Sequence, residues 1–211
     1  MESPVRGPLP DNLTLIETFG RREGVFVRLA EHLDRLARTA AALGVPHDRA
    51  AIDRALGSVR GADPLRVRLT LARDGTVAVA AAPLGAGAAL WRLAVARERL
   101  DADDPWLRLK TSERGRYDRA RAAMPEGVDE VVFLNRRGEV CEGTITNVFV
   151  QEGEGLLTPP LASGLLPGVL RGVLLRDGRA REAVLRMEDL ARGPAFVGNS
   201  LRGLVPACLV A

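Results

Sequence analysis

The stretch from residue 65 to residue 82 constrains the fold more than any other part of the chain. In "LRVRLTLAR" apolar and polar side chains alternate, and this period of two is typical of a β-strand with one buried face. The Asp74–Gly75 pair that follows is a strong turn signal, and "TVAVAAA" then resumes the extended pattern. We therefore predict an antiparallel hairpin in the N-terminal part of the chain.

Other short-range signals surround this hairpin. "LTLIETF" (13–19) and "GVFVRL" (24–29) predict two strands joined by the turn "GRRE". Apolar side chains then recur at spacings of three and four, which predicts a helix over 30–43 that ends before Gly44. "HDRAAIDRAL" predicts a second helix, and "LWRLAVARE" predicts a further strand.

Residues 99–106, "RLDADDPW", separate the two halves of the chain in our interpretation. They are acidic, contain a proline and lack hydrophobic periodicity, which is typical of a linker. We therefore predict an α+β fold of two domains. The first is a small N-terminal α/β domain of residues 1–100, and the second is a larger, β-rich C-terminal domain of residues 101–211.

The elements expected in the C-terminal domain follow from similar patterns. A short strand ends at Lys110, a helix covers 113–124, and "EVVFLN" (130–135) is an apolar strand. "EVCEGTITNVFVQ" contains further alternating, extended structure. "LPGVLRGVLLRDG" predicts a helix opened by Leu-Pro-Gly, and "PAFVGNSLRGLVPACLV" predicts two strands around a loop.

Composition and charge exclude several classes of function. The net charge is +3, and arginines alternate with acidic residues instead of forming a basic stripe with aromatics, so we expect no nucleic-acid partner. The longest apolar run is broken by proline and glycine, and "MESPVRGPLPDN" lacks a signal core, so we expect a cytoplasmic protein with no membrane partner. The two cysteines and two histidines are too few for a disulfide framework or a metal centre.

Lys110 is the residue that most directly suggests a chemistry. It is the only lysine, and every other residue among the 30 lysines and arginines is arginine. Arginine would serve for surface charge or ion pairs but cannot become a neutral amine, whereas a lysine can lose its proton and attack a carbonyl. Lys110 therefore suits a Schiff base, and pyridoxal 5′-phosphate is the commonest such partner. The alternative is that one lysine survived by chance in an arginine-rich chain.

That cofactor also needs a phosphate site and an acid near its pyridine nitrogen. Pro167 and Gly168 precede a predicted helix whose first N–H groups would attract an anion, although Pro-Gly before a helix is often a plain turn. Glu142 could be the acid, or a solvent-facing residue at a strand start. Arg35 could bind phosphate through its fork of donors, while a structural role suits His32 better.

Five segments in a fixed order resemble one family of enzymes. They are "EHLDRLARTAAALG", "LKTSERGRYDRA", "VCEGTITNVFV", "LLPGVLRGVLL" and "VGNSLRGLVPA". Each is modest alone, but together they resemble the fold-type IV pyridoxal-phosphate enzymes, which are the class IV aminotransferases and 4-amino-4-deoxychorismate lyase. The resemblance runs from about residue 13 to residue 210 and includes the only lysine. It implies a two-domain fold-type IV architecture, a small amino substrate and a homodimer.

The resemblance also implies roles for single residues. Lys110 matches the lysine that binds the cofactor as a Schiff base and moves the proton during catalysis. Glu142 matches the acid at the pyridine nitrogen, and Arg35 matches a phosphate-binding arginine. Two pairs of residues match the remaining phosphate contacts, the first at the helix start and the second in the closing loop: Val169 with Leu170, and Asn199 with Ser200.

The resemblance indicates the residue that binds the substrate carboxylate, and the type of reaction, less directly than it indicates the cofactor contacts. Arg68 lies where related enzymes hold a substrate carboxylate, and Arg66 on the same strand face is its rival. Many family members carry a tyrosine where this chain has Gly115, and Tyr117 is the only tyrosine. This departure and the "GNSLRGLVPA" ending favour a lyase that releases pyruvate to give 4-aminobenzoate. The alternative is a branched-chain or D-amino acid aminotransferase that passes an amino group to a 2-oxo acid.

Overall fold

The computed structural model describes residue 5 and residues 7–210, so the predicted absence of a signal core falls partly outside the described residues. The chain divides into two compact units. Their ranges are Met1–Ala86 with Leu109–Glu113 for the first unit, and Gly87–Arg108 with Arg114–Ala211 for the second.

The first unit is built on an antiparallel sheet of four strands. These are β1 (Thr14–Arg22), β2 (Val25–Phe26), β3 (Leu65–Ala72) and β4 (Val77–Pro83). Their order in the sheet is β2-β1-β3-β4, and the predicted hairpin is confirmed as the pairing of β3 with β4. Every second residue of β3 from Leu65 onwards is buried, while Arg66 and Arg68 between them are exposed. One face of this sheet therefore carries the apolar core.

Two helices accompany this sheet, α1 (Leu29–Leu43) and α2 (Arg49–Gly57), as the sequence predicts. The helix α1 buries the predicted apolar stripe and also, unexpectedly, three polar or charged side chains, which are His32, Arg35 and Thr39. It ends at Gly44, whose φ of 66° lies in the left-handed region that glycine adopts without strain.

The segment around Lys110 departs from its predicted structure. Pro105–Arg108 form a short 3₁₀-helix, and the residues that follow are irregular except for an isolated bridge between Thr111 and Leu15. The predicted strand ending at Lys110 is therefore wrong. Asp104 explains part of the difference, because its side chain accepts a hydrogen bond from the backbone N–H of Trp106 at 3.0 Å and so favours a local turn.

The second unit contains eight strands. They are β5 (Trp91–Leu100), β6 (Glu130–Asn135), β7 (Val140–Gly143), β8 (Asn147–Glu152), β9 (Gly155–Thr158), β10 (Ala180–Glu182), β11 (Ala195–Asn199) and β12 (Gly203–Leu209). The strand order is β10-β9-β8-β11-β12-β5-β6-β7, and β7 also pairs with β8. This last pairing closes six strands into a barrel-like sheet, from which β9 and β10 extend.

The boundary between the units differs from the predicted boundary after residue 100. The strand β5 pairs in parallel with both β6 and β12, so its backbone hydrogen bonds tie Trp91–Leu100 to the second unit. Residues 99–106, which we interpret as a linker, accordingly belong to the second unit as well. Local composition indicated a break there, but strand pairing over long sequence distances determines the actual division.

Three helices complete the second unit, α3 (Gly115–Ala122), α4 (Val169–Arg176) and α5 (Met187–Arg192). The first is shorter than the predicted 113–124, the second confirms the predicted helix after Leu-Pro-Gly, and the third was not predicted. Large apolar side chains such as Phe133 and Phe149 are fully buried in this unit. Among the helices that the structure describes, none has the length and apolar character that crossing a membrane requires.

Candidate active site

A buried cluster of three polar side chains lies between β1 and α1 in the first unit. Arg35 donates to both carboxylate oxygens of Glu17, from Nε at 2.8 Å and from Nη2 at 2.6 Å. His32 Nδ1 lies 2.6 Å from Oε2 of the same carboxylate. All three side chains are almost inaccessible to solvent. Glu17 therefore orients the guanidinium of Arg35. The sequence did not indicate this role, because both partners of Glu17 lie on α1 and not on its own strand.

The charges in this cluster follow from its burial. Burial alone would raise the pKa of Glu17, but the Arg35 guanidinium and the hydrogen bond from His32 outweigh it and lower that pKa. Burial, assisted by the charges of Arg35 and Lys110, lowers the pKa of His32 despite its bond to Glu17. His32 is therefore neutral and donates from Nδ1 to the carboxylate. This is the structural role that the sequence favours for His32.

The backbone from Lys110 to Ser112 is fixed to β1. The carbonyl oxygen of Lys110 accepts a hydrogen bond from the N–H of Ile16 at 2.9 Å, and the N–H of Ser112 donates to the carbonyl of Thr14 at 2.8 Å. The N–H of Thr14 in turn donates to the Ser112 hydroxyl at 3.0 Å. Main-chain contacts thus hold Lys110 in place. Its positive charge is one of the causes that lower the pKa of the buried His32.

Arg66 and Arg68 lie on the face of β3 that points away from the apolar core. They are opposite Gly20 and Thr18 of β1 in the antiparallel register, and both are exposed. Neither has a hydrogen bond or ion pair with the part of the chain that the structure describes. Both guanidinium groups are therefore available to an anion, and their similar surroundings do not separate the two candidates for the substrate carboxylate.

Glu142 is buried in β7 of the second unit, so the alternative of a solvent-facing glutamate is wrong. Its Oε1 accepts a hydrogen bond from the hydroxyl of Tyr117 at 2.6 Å. Its Oε2 accepts one from the backbone N–H of Leu166 at 3.1 Å. Burial of a carboxylate is costly unless its oxygens are hydrogen-bonded, and these two donors meet that requirement.

Tyr117 is not merely a packing residue of α3. Its ring contacts Phe133 edge to face, with centroids 5.2 Å apart, and the Arg114 guanidinium lies 5.8 Å from its centroid. Burial and the negative charge of Glu142 raise the pKa of Tyr117 far above its usual value. The hydroxyl therefore keeps its proton and acts as a donor to Glu142 at every physiological pH.

The start of α4 has the features of an anion site. Gly168 occupies the N-cap position, and the first helical residues, Val169 and Leu170, are buried. The first N–H groups of any helix lack partners within that helix and attract anions. A Cβ atom at Gly168 would lie only 1.9 Å from Oδ1 of Asn147, so glycine is required where these segments meet. The amide of Asn147 also donates to the Leu166 carbonyl at 3.1 Å.

Asn199 and Ser200 lie where β11 leads into the loop before β12, and their side chains have different surroundings. Oδ1 of Asn199 accepts hydrogen bonds from the N–H groups of Leu201 at 3.1 Å and Arg202 at 3.0 Å, and its amide donates to the carbonyl of Ile145 at 3.2 Å. The side chain of Asn199 therefore shapes the loop. Ser200 beside it is buried, so its hydroxyl and backbone are the groups that suit a phosphate.

Glu130 organises the turn between β7 and β8 and was not predicted from the sequence. It is inaccessible to solvent, and its carboxylate accepts hydrogen bonds from the N–H groups of Thr144 and Ile145 and from the hydroxyls of Thr144 and Thr146. A Cβ atom at Gly143 would lie 2.3 Å from Oγ1 of Thr146, so this tight turn requires glycine. The turn joins the strand of Glu142 to the strand of Asn147.

These features of the second unit fit pyridoxal phosphate. Glu142 is a buried carboxyl group that accepts two hydrogen bonds, and such a group suits a protonated pyridine nitrogen. The start of α4 suits a phosphate through its first backbone N–H groups. Within the described residues no group of histidine, cysteine and acidic side chains could hold a metal ion.

A family model described as amino-transferase class IV matches residues 14–210 of the chain. Among curated proteins, the aminodeoxychorismate lyase of Saccharomyces cerevisiae is 32% identical over 130 residues, which are 53% of this chain and 33% of that enzyme. A candidate aminodeoxychorismate lyase of Schizosaccharomyces pombe is 27% identical over 199 residues, which are 89% of this chain and 86% of that protein.

Similarity to solved structures covers almost the whole chain. A candidate amino-acid aminotransferase of Mesorhizobium loti is 47% identical and superimposes with a TM-score of 0.90, over 94% of this chain and 100% of that one. The relatives thus carry names of two different activities, a lyase and an aminotransferase.

Proposed function

The chain belongs to the class IV aminotransferase family, and on this premise we propose that it converts 4-amino-4-deoxychorismate into 4-aminobenzoate and pyruvate. Members of this family are enzymes that depend on pyridoxal phosphate. The observation that carries the proposal is the buried carboxylate of Glu142, held by Tyr117 and by the amide of Leu166. Such a group suits a protonated pyridine nitrogen, the part of the cofactor that accepts electrons.

Lys110 binds the cofactor covalently through Nζ in this proposal. Its backbone is anchored to β1 by main-chain hydrogen bonds, which is the rigid support that a reactive group needs. The amine of Lys110, when not bound to the cofactor, would remove the proton from the substrate carbon next to nitrogen. The bound cofactor supplies the electron sink for this step.

The backbone N–H groups of Val169 and Leu170, together with Ser200, would hold the phosphate of the cofactor. Burial of these residues would exclude water, which strengthens the hydrogen bonds to the anion. Arg35 supplies a further phosphate contact in this proposal. Glu17 accepts hydrogen bonds from its Nε and Nη2 atoms and so fixes the orientation of the guanidinium.

In the lyase reaction a proton leaves the substrate ring, the C–O bond to the side chain breaks, and the ring becomes aromatic. The products, 4-aminobenzoate and pyruvate, together contain all atoms of the substrate, so no oxidant and no amino acceptor is consumed. Arg68, or its neighbour Arg66, binds a substrate carboxylate. We also propose a cytoplasmic location, from the composition, and a homodimer, which the family resemblance implies.

Two observations favour the lyase over the aminotransferase. Gly115 opens α3 where many family members have a tyrosine, and the single tyrosine of the chain instead binds Glu142. The S. cerevisiae relative is named a lyase, although the match covers a third of its length. The aminotransferase remains the second candidate, because the M. loti relative, at 47% identity, carries that name.

The decisive experiment is an assay of the cofactor-loaded enzyme with 4-amino-4-deoxychorismate, in the presence and absence of 2-oxoglutarate. A lyase forms 4-aminobenzoate and equimolar pyruvate without the oxo acid, since its products need no acceptor. If 4-aminobenzoate is absent, and a branched-chain or D-amino acid is converted only when 2-oxoglutarate is added, the lyase is excluded and the aminotransferase replaces it.

A further inference from the structure

The carboxylate of Glu142 receives its shortest described hydrogen bond from a side chain of another element. The Tyr117 hydroxyl reaches Oε1 from α3 at 2.6 Å, whereas the amide of Leu166 reaches Oε2 at 3.1 Å. The two residues Tyr117 and Glu142 are separated by 25 positions in the sequence. A bond of this length to an ionised carboxylate belongs to the strong, charge-assisted class.

We propose that Tyr117 is a positioning residue that keeps Glu142 ionised and thereby keeps the proton on the pyridine nitrogen of the bound cofactor. This inference rests on the proposed role of Glu142 and extends it to a residue that the family resemblance left without one. Tyr117 touches neither cofactor nor substrate in this proposal, and it acts through the carboxylate alone.

The physical reason is the competition between two sites for one proton. A donor bound to the ionised form of an acid lowers the acid's pKa, because protonation would weaken that hydrogen bond. If Tyr117 did not donate, Glu142 would be a stronger base and would hold the shared proton more often. The ring nitrogen would then be neutral more often and would withdraw electrons less effectively.

Three other described residues near Glu142 or Tyr117 have different contacts. Cys141 precedes it on β7, and burial together with the charge of Glu142 raises the pKa of that thiol to about 12, so it is neutral. Asn147 of β8 is opposite Glu142 in the register, but its described hydrogen bond goes to the Leu166 carbonyl. On α3, Arg116 acts electrostatically on Tyr117 and forms an ion pair with Asp104 at 2.6 Å.

The surroundings of the Tyr117 ring allow a clean substitution. The ring is held by the edge-to-face contact with Phe133 and by the nearby Arg114 guanidinium, and neither contact uses the hydroxyl. Tyr117→Phe therefore removes the donor while the ring keeps its packing. Thr158→Val is a matched control, because it also removes a buried hydroxyl of this unit, one that donates to the Val148 carbonyl at 2.9 Å.

The first test compares cofactor-loaded wild type, Tyr117→Phe, Thr158→Val, Glu142→Gln and the double variant of Tyr117 and Glu142. We expect Tyr117→Phe to lower kcat about tenfold, as loss of a hydrogen bond to a charged group would, with KM within about twofold. The acid limb of the kcat profile and the pH titration of the bound cofactor's visible absorbance should both move to higher pH. Thr158→Val should move neither.

The double variant shows whether Tyr117 acts through Glu142. If it does, Tyr117→Phe has little further effect once Glu142 is glutamine, so the two losses are not additive. Full additivity would overturn the inference, as would a Tyr117→Phe enzyme whose pH profile matches wild type while Glu142→Gln is slow. If Glu142→Gln itself turns over like wild type, the proposed function of Glu142 fails instead.

A second test does not depend on the folding of a variant. The chain contains one tyrosine, so growth with 3-fluorotyrosine alters the phenol of Tyr117 and no other. A more acidic phenol is a stronger donor, and Tyr117 remains protonated because its pKa lies far above the usual value. The acid limb of the pH profile of kcat should move to lower pH, which is the opposite direction to the shift expected for Tyr117→Phe. An unchanged limb, or a shift in the same direction as Tyr117→Phe, would refute the inference.

Discussion

Glu17 in the first unit and Glu142 in the second are both buried carboxylates, but their partners differ in charge. Glu17 is bound by the Arg35 guanidinium on both oxygens, so its charge is balanced within the fold. The described hydrogen bonds of Glu142 come from the neutral Tyr117 hydroxyl and the Leu166 amide. Neutral donors stabilise a negative charge without cancelling it, which is what the proposed role of Glu142 beside a pyridine nitrogen requires.

The comparison shows how one residue type serves two purposes. A carboxylate paired with arginine contributes to stability and positions its partner, and removing it leaves a buried cation behind. A carboxylate held by neutral groups remains a reactive or binding group, at some cost in desolvation. The four predictions that follow test this division, from the largest expected effect to the smallest.

Lys110→Ala should have the largest effect, because it removes the proposed covalent attachment and leaves both carboxylates in place. Turnover should fall by at least about a thousandfold, as expected for loss of a general base. Borohydride reduction and peptide mapping of wild type should place the cofactor on Lys110, and the variant should lose the visible absorbance. Its thermal midpoint should stay near that of wild type, because the hydrogen bond to Ile16 uses the Lys110 backbone. A cofactor found only on the N-terminal amine would exclude the assignment.

Glu17→Ala should be the most destabilising single change at either carboxylate. It leaves Arg35 buried without its counter-ion, and breaking a buried pair costs about 3–5 kcal/mol of unfolding free energy. Urea unfolding measures this loss directly. Glu142→Gln, which retains an acceptor for Tyr117, is the variant for comparison. If it lost more unfolding free energy than Glu17→Ala, the roles that we assign to the two residues would be reversed.

Glu142→Gln should instead damage the reaction. Because an amide carries no negative charge, the pyridine nitrogen would lose its proton, and kcat should fall about a hundredfold, the scale of losing one preorganised electrostatic contact. Cofactor affinity, measured by titration of the apoenzyme, should change by less. Arg35→Ala should show the opposite order, since it removes the proposed phosphate contact. Equal effects of both variants on cofactor affinity would contradict this assignment of roles.

The smallest predicted effect is a dependence of stability on pH in the first unit. His32 has a lowered pKa in the folded protein, so the unfolded chain binds a proton first as the pH falls below about 6.5. Stability should therefore decrease with falling pH, at up to about 1.4 kcal/mol per pH unit. Below about 4.5, Glu17 adds to this loss, because its folded pKa is also lowered.

Urea unfolding of wild type and His32→Gln gives the free energy of unfolding at each pH. The range from about pH 7 to about pH 5 spans the ordinary pKa of histidine. The variant lacks the titrating group and should show a flatter profile. A wild-type protein whose stability rises as the pH falls through this range would contradict the neutral state of His32.

Signals that are local in sequence predicted a substantial part of this molecule. The alternation of "LRVRLTLAR" with Asp74–Gly75 predicted β3 and β4, and Leu-Pro-Gly predicted α4. Lys110, as the only lysine among so many arginines, indicated the chemistry through residue type alone. The structural predictions succeed because strand alternation, turns and helix starts are properties of neighbouring residues.

Other features could not be predicted in this way. The domain boundary after residue 100 failed because β5 pairs with β6 and β12, which are distant in sequence. Glu130 was overlooked because all four of its loop contacts come from Thr144–Thr146, on the far side of a turn. In both cases the partners become neighbours only when the strands of the second unit pair.

The sequence by itself determined which residue types are present, including a unique lysine and a single tyrosine, and it indicated where several of the helices and strands lie. Tertiary structure alone decided that Glu17 is neutralised by Arg35 and that Glu142 receives the Tyr117 hydroxyl. The reason is that the charge state of a buried carboxylate depends on which donors lie within hydrogen-bonding distance, and those donors are brought there by strand pairing and helix packing rather than by sequence neighbours.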